Sequence, residues 1–341
     1  MKANSTFKTL FILFSFFYAD KVYAACSTLS DSVDLGKYSS IAFAESGLAT
    51  QQVKSGLNCA GLSIGLIGTT FLKYEVINLP THLVSINDPK ETINIYFNDF
   101  ESKPILAGSN KEYASTTLLS LFTTSSGDLP FYAVIPEGQV VAPGIYKLAG
   151  DVRIHWYYAV PIVSVGCLLS TYDKSPGLEI KALGLLGCQI AEWGSGVPST
   201  LNYQIEILPD CRIATNDINF GSEAFASAFK PVQTSLGIRC SAKTAYKVSL
   251  SDGGNALNEQ RRLRMSNTNN YLNYEIYKNI SKQRWGSGTQ QWSSNDASNN
   301  AAMYDGKTQQ IYNFTSEILE NNPENLPAGI YTDNVTVEVK F

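Results

Sequence analysis

Cys26-Ser-Thr-Leu-Ser-Asp-Ser-Val33-Asp-Leu35-Gly36 returns 185 residues later as Cys211-Arg-Ile-Ala-Thr-Asn-Asp-Ile218-Asn-Phe220-Gly221, with the cysteine, two alternating apolar residues and the closing glycine in place. The same offset carries Gly144-Ile145-Tyr146 onto Gly329-Ile330-Tyr331, each shortly after a proline (Pro143, Pro327). It then carries Val152, Ile154 and Trp156 onto Val337, Val339 and Phe341. Separate blocks sharing one offset identify a duplicated module. Apolar residues at every second position recur in both copies: Ile93, Ile95 and Phe97; Tyr246, Val248 and Leu250; Val335, Val337, Val339 and Phe341. A period of two marks half-buried strands, joined here by turns such as Asp252-Gly-Gly-Asn255. The expected fold is all-β, two tandem immunoglobulin-like β-sandwiches. Residues 1–24 read as an export signal, 25–208 as the N-terminal domain and 209–341 as the C-terminal domain, with Leu208-Pro209-Asp210 as a stiff connection.

Composition agrees. A chain of 341 residues, 44% hydrophobic, is long enough for two domains with separate cores. With a net charge of −4 and scattered Lys and Arg there is no basic stripe, so nucleic acid is not an expected partner. Lys2 and Lys8, the apolar stretch Leu10 to Tyr18 and the small residue Ala24 have the order of a cleavable export signal, and the stretch is too short to span a membrane comfortably. Six cysteines in an exported chain point to three disulfides. The repeat pairs Cys26 with Cys59 and Cys211 with Cys240, leaving Cys167 for Cys188, each bridge contributing roughly 2 to 4 kcal/mol. An acylated Cys26 is the competing reading of Ala24-Ala25-Cys26, and the bridge is the better use of that sulfur.

The two copies end differently. After Trp156 the first runs into a Cys-closed excursion and then Leu201-Asn-Tyr203-Gln-Ile205-Glu-Ile207, whose alternation predicts one more strand. The second copy reaches Phe341, the counterpart of Trp156, with no such strand after it. Its sandwich is therefore expected to be incomplete, with a cleft and unpaired backbone beside Val335, Val337, Val339 and Phe341 that invite another chain to add a strand.

Leu272-Asn-Tyr274-Glu-Ile-Tyr277, Arg284-Trp285-Gly-Ser-Gly288 and Pro327-Ala-Gly-Ile-Tyr331-Thr-Asp-Asn-Val335-Thr-Val-Glu-Val-Lys-Phe341 make the second copy resemble a spore-coat-U-type pilin domain of archaic chaperone-usher pili. The last block is the most specific, and the resemblance is good over about 210 to 341. It implies donor-strand complementation, with a periplasmic pilus chaperone, an outer-membrane usher and an adjacent pilin subunit donating an N-terminal strand as partners. Val335, Val337, Val339 and Phe341 are then the docking residues. Cys26 follows the predicted cleavage point so closely that no strand is left to donate. The subunit is accordingly expected at the pilus tip, exported through the periplasm to the cell surface, and resembles a two-domain Csu-type tip adhesin.

Three apolar runs in the first copy carry few charges: Leu62, Ile64, Leu66 and Ile67; Val160, Ile162, Val163 and Val165; Leu183, Leu185 and Leu186. One reading makes them buried strands. The other makes them exposed hairpin tips, since glycines interrupt the first and third runs and Cys167–Cys188 braces the second against the third. On that reading they form a contact surface, and the resemblance implies adhesion to hydrophobic, including abiotic, surfaces and biofilm formation. A carbohydrate-binding adhesin using Trp156, Tyr157, Tyr158, Tyr172 and Trp193 is the alternative, and a structural coat subunit a third.

No enzyme, cofactor or metal site is expected. Gly61-Leu-Ser63-Ile-Gly65 fits the pattern of a hydrolase nucleophile, but that motif needs a strand, a sharp turn and a helix, and Leu66-Ile-Gly-Thr-Thr-Phe71 starts a helix poorly. His82 and His155 have no neighbours at metal-ligand spacing, and the acidic residues Asp88, Glu91, Asp99 and Glu101 match no calcium loop.

Overall fold

The computed structural model describes residues 25–60, 62–65, 67–117, 120–124, 127–184 and 187–341, with 60, 62–65, 116–117, 120–124 and 127–129 described by their backbone course alone. The export segment 1–24 and the candidate residues Leu66, Leu185 and Leu186 lie outside the described residues.

Strands follow the alternating runs. The first copy forms β1 (Ala25–Thr28), β2 (Ser30–Ser39), β3 (Leu48–Ala60), β4 (Leu62–Gly65), β5 (Gly68–Asn78), β6 (His82–Ser85), β7 (Thr92–Asn94), β8 (Tyr96–Asn98), β9 (Asn110–Thr117), β10 (Ser120–Thr124), β11 (Gly127–Ile135), β12 (Gly144–Leu148), β13 (Val152–Ser164), β14 (Thr171–Lys174), β15 (Glu179–Leu183), β16 (Gly187–Glu192) and β17 (Val197–Leu208). The second forms β18 (Cys211–Thr215), β19 (Val232–Cys240), β20 (Lys247–Leu250), β21 (Arg262–Met265), β22 (Tyr271–Lys278), β23 (Trp292–Ser293), β24 (Gln310–Ile318), β25 (Tyr331–Thr332) and β26 (Val337–Lys340). Helix α1 (Ser40–Ser46) is capped by the Ser39 hydroxyl and stopped at Gly47, whose φ of 61° suits a residue without a side chain.

Among the described residues, every strand up to Leu208 pairs within the first copy and every strand from Cys211 within the second. In the first, the sheet β1-β3-β11-β8 opposes a larger one in which β10-β4-β13-β17-β12-β6-β7 run side by side. In the second, β18-β19-β24-β22-β21-β25 opposes β23-β20-β26. Each copy buries its own aromatic core. Trp156 packs 5.7 Å from Tyr74 in the first, and Trp285 packs 4.9 Å from Trp292 in the second. The three disulfides are those the repeat pairs: Cys26–Cys59 across β1 and β3, Cys211–Cys240 across β18 and β19, and Cys167–Cys188.

Polar contacts fasten the two sandwiches around Pro209-Asp210. The Ser39 hydroxyl donates to Asp210 Oδ2 at 2.5 Å, and the buried Ser40 and Ser241 hydroxyls meet at 2.5 Å. Arg239 pairs with Glu45 at 2.6 Å, and Lys243 reaches Glu91 at 2.6 Å and Asp88 at 3.0 Å. Hydrogen bonding by Glu91 raises the Lys243 ammonium above its ordinary value, while the bond from Lys243 holds the Asp88 carboxyl below its own.

Candidate functional site

β17 is the predicted extra strand, longer than its alternation suggested, and it closes the first sandwich. On one edge it runs antiparallel to β13 (Val152 opposite Leu201, Trp156 opposite Val197) and β12 (Tyr146 opposite Ile205, Gly144 opposite Ile207). On the other it runs parallel to β2, with Tyr203 beside Val33 and Ile207 beside Tyr38. Its inward residues Leu201, Tyr203, Ile205 and Ile207 are at most 1% exposed. Tyr203 lies 5.1 Å from the Phe97 ring and donates its hydroxyl to the Lys54 carbonyl at 2.6 Å.

The second sandwich shows what the same sequence does without that strand. Val152, Ile154 and Trp156 are 2%, 1% and 0% exposed, whereas their counterparts Val337 and Val339 are only half-buried and Phe341 is 56% exposed. Leu35 is buried; its counterpart Phe220 is half-buried. β26 pairs with β20 on one edge and, among the described residues, has no strand on the other. Residues 215–224, the counterpart of β2, are not a strand beyond Thr215. The cause is pairing: β2 is held by parallel bonds to β17, and 215–224 has no such partner. The result is a cleft of about 750 Å³ lined by Phe220, Leu263, Tyr274, Trp285, Val335 and Val337.

Buried charge stiffens the wall of this cleft. Arg261, fully buried, meets Glu275 at 2.5 Å and donates to the carbonyls of Ser251 and Trp285; Arg284 meets the same carboxylate at 2.8 Å and Asp252 at 2.6 Å. Tyr274 donates to Asp333 at 2.8 Å, and burial pushes its hydroxyl well above the ordinary tyrosine range.

The three apolar runs converge at one end of the first sandwich. β4 lies parallel to the last residues of β13, Ile64 beside Val163 and Gly65 beside Ser164, and the Gly166 amide donates to the Ile67 carbonyl at 3.2 Å. Cys167–Cys188 then ties this end to the hairpin of β15 and β16, where Ala182 pairs with Cys188 and Leu183 with Gly187. β17 enters beside Trp156 and leaves toward the second copy beside Gly144. From Trp156, β13 runs on the other way to Ser164, about 26 Å at 3.3 Å per residue. The apolar end is thus the pole away from the junction.

There the end of β13 and the residue after it invert the usual pattern. Val163 and Val165 face solvent, 41% and 46% exposed, while Ser164 between them is buried. Gly68 lets Ser164 in, since a side chain at Gly68 would stand 2.6 Å from the serine hydroxyl. Leu183 is exposed as well, and Ile67 and Ile162 are half-buried. Leu168 and Leu169, at 61% and 72%, are the most exposed apolar residues of this end among those whose side chains are described and were missed by the sequence reading; they sit directly after Cys167. The backbones of Leu62 and Ile64 run in β4.

Two expectations need correction. Val160 belongs to the core, 8% exposed, because its side chain packs into the buried cluster of the first sandwich. Trp156, Tyr157 and Tyr158 are buried too, and Tyr172 and Trp193 are half-buried against a small cluster around Phe71, so these five rings form no open sugar platform. Ser63 sits within strand β4, and the chain continues into strand β5, not into the helix that a nucleophile motif requires.

The Spore Coat Protein U domain matches residues 197–338. Among solved structures, the chain is similar to the tip adhesion subunit in the CsuC–CsuE chaperone–subunit pre-assembly complex from archaic chaperone-usher Csu pili of Acinetobacter baumannii. Identity is 38% and the TM-score 0.71, over 93% of this chain and 100% of that one. Weaker likenesses include the CupB6 tip adhesin of Pseudomonas aeruginosa, at 12% identity and TM-score 0.29 over 93% and 95% of the two chains. CfaE, the adhesive subunit of CFA/I fimbria of enterotoxigenic Escherichia coli, stands at 10% and 0.29 over 94% and 78%. None of the curated proteins matches the chain.

Proposed function

The chain belongs to the family of archaic chaperone-usher pilus subunits that carry the spore coat protein U domain, and on that premise we propose that it is a non-enzymatic adhesin at the tip of such a pilus. The second sandwich docks. Its groove beside Val335, Val337, Val339 and Phe341 receives a strand from a periplasmic chaperone, passes with it to an outer-membrane usher, and then takes the N-terminal strand of an adjacent pilin. The first sandwich, closed by its own β17, carries the adhesive end to the cell surface.

The inversion at Val163-Ser164-Val165 is the observation that supports adhesion through apolar contact. A strand end that exposes valines and buries serine gains nothing for its own core, and with Leu168, Leu169 and Leu183 also exposed at this end these are the kind of apolar residues that mark a contact site. Removing roughly 100 Å² of apolar area from water at each tip contributes about 2.5 kcal/mol before the cost of association. One subunit holds weakly; many pili on one cell hold by avidity. Such contact needs no specific receptor, which suits hydrophobic and abiotic surfaces and the start of a biofilm. The test is a variant carrying Val163→Gln, Val165→Gln and Leu183→Gln. It is expected to assemble pili normally and to lose most attachment to polystyrene, and undiminished attachment refutes the contact surface.

A further inference from the structure

Only Pro209 separates the two sandwiches. Leu208 is still in register with Ser39 at the end of β17. Asp210 is already bonded to the second sandwich: its amide donates to the Ser241 hydroxyl at 2.8 Å, and its carbonyl accepts from the Ser241 amide at 3.0 Å. The proline ring fixes φ, so the linker offers few soft torsions and the sandwiches can swing only over a narrow range of directions. At this pivot the Ser39 hydroxyl reaches the Asp210 carboxylate, and the buried Ser40 and Ser241 hydroxyls meet.

Charge around the pivot is sorted by sandwich. Among the described residues four ion pairs join the two copies, and in every one the first supplies the carboxylate and the second the cation. They form two groups on different elements. Glu45, near the end of α1, takes Arg239 at 2.6 Å and Arg212 at 3.5 Å, two residues that stand opposite each other in β19 and β18. Asp88 and Glu91, on the connection from β6 to β7, take Lys243 at 3.0 and 2.6 Å. The second group is set in place by backbone bonds. The Lys90 amide donates to Asp88, the Ala142 amide to Glu91, and the Lys243 amide to the Tyr304 carbonyl. Lys243 holds a φ of 54°, a conformation unfavourable for a residue with a side chain and kept only where the surroundings fix it.

Exposed and half-exposed pairs of this kind are individually weak. Across a one-residue linker each closes as an intramolecular contact at high effective concentration, so two weak groups together hold the joint and neither alone holds it firmly. When it is closed, Val140 fits against Gly306 so closely that a side chain at the glycine would stand 2.5 Å from it.

We propose that the joint is a hinge on Pro209 with two ionic latches, Glu45 with Arg212 and Arg239, and Asp88 and Glu91 with Lys243, closed at rest and opened one latch at a time by load or by screening of charge. β17 stays seated while the hinge moves, because its bonds to β13, β12 and β2 lie wholly on the first-sandwich side of Pro209. On the adhesive reading of the far pole, opening tilts that pole toward a surface without unfolding either core; the hinge itself does not depend on that reading.

The experiment uses the full chain with spin labels on non-cysteine unnatural residues at the exposed positions Glu101 and Glu320, one on each sandwich, and reads the distribution of distances between them. At about 0.1 M salt one narrow distance is expected. At about 1 M, where the screening length falls from about 10 to about 3 Å, the distribution is expected to widen about twofold. Glu45→Arg and Lys243→Glu each open one latch. Together they are expected to widen the distribution at low salt by more than the sum of their separate effects, since either latch alone keeps the joint near closure. Combining Glu45→Arg with Arg212→Glu and Arg239→Glu restores the pairs with exchanged signs and is expected to return the narrow distance, which a merely damaged fold would not do. A broad distribution in the native chain at low salt, or a narrow one in the doubly reversed variant, overturns the latches. Failure of the exchanged charges to restore the distance overturns their ionic basis. Neither result bears on attachment to polystyrene, which tests the adhesive pole separately.

Discussion

Val152 and Val337 occupy one position in two copies of one module, which makes the pair a direct measure of what the missing strand contributes. Val152→Ala removes two methyl groups from a site that is 2% exposed and covered by Leu201 of β17. At about 0.8 kcal/mol per buried carbon, plus a share for a cavity that cannot fully collapse, the cost is about 2 to 2.5 kcal/mol. Val337→Ala removes the same atoms from a half-buried site beside an open cleft, where no closed cavity forms, and costs under about 1 kcal/mol. The difference of about 1.5 kcal/mol is roughly tenfold in the unfolding equilibrium. Urea titration of the full chain with hydrogen exchange read on peptides from β13 and from β24 separates the two sandwiches, which need not unfold together. When a strand is bound in the groove, the cost of Val337→Ala is expected to rise toward that of Val152→Ala. Equal costs in the free chain, within about 0.3 kcal/mol, refute the argument that the two copies differ by a strand.

Replacing both Cys167 and Cys188 by Ala frees the β15 and β16 hairpin from the end of β13; its amides are expected to exchange faster and attachment to polystyrene to fall, while the core around Trp156 keeps its urea midpoint. Glu275→Ala strips a fully buried Arg261 of its carboxylate, and a loss of about 3 to 5 kcal/mol is expected in the second sandwich, measured by urea unfolding; a loss below about 1 kcal/mol refutes the assignment. Asp99 is pH-sensitive: burial pushes its carboxyl up, but Lys111, the Lys103 amide and Tyr113 outweigh this and hold it below the ordinary value. Its contribution is therefore present above the unfolded value of about 3.9 and is lost as pH falls through the lower folded value. Melting of the first sandwich is expected to fall more steeply between about pH 4 and 2 in the native chain than in Asp99→Asn, and parallel curves refute the linkage.

Local periodicity and one constant offset determined a great deal. The duplication, the all-β character, the pairing of the cysteines and the extra strand around Leu201 to Ile207 were legible because each depends on residues close in sequence or on matching one copy against the other. The face of the apolar runs was not. A period of two says that neighbours point to opposite sides, but which side meets water depends on which face the rest of the molecule packs against. Val160 packs into the core of the first sandwich and Val163 is exposed within a few residues of one strand, β13, although Val163 is paired on both edges. The rings at Trp156, Tyr157 and Tyr158 looked like a platform in a row and proved to be buried, Trp156 against Tyr74 and Phe131 in the core, Tyr157 against Trp193, and Tyr158 in the core with its hydroxyl on the Cys26 carbonyl. Tertiary structure alone decided that Ile64 and Val163, far apart in sequence, lie side by side in parallel strands, and so that separate apolar runs make one end of the molecule. Parallel pairing between distant segments leaves no local signal, because both backbone donors and acceptors are satisfied by a partner that the sequence does not name.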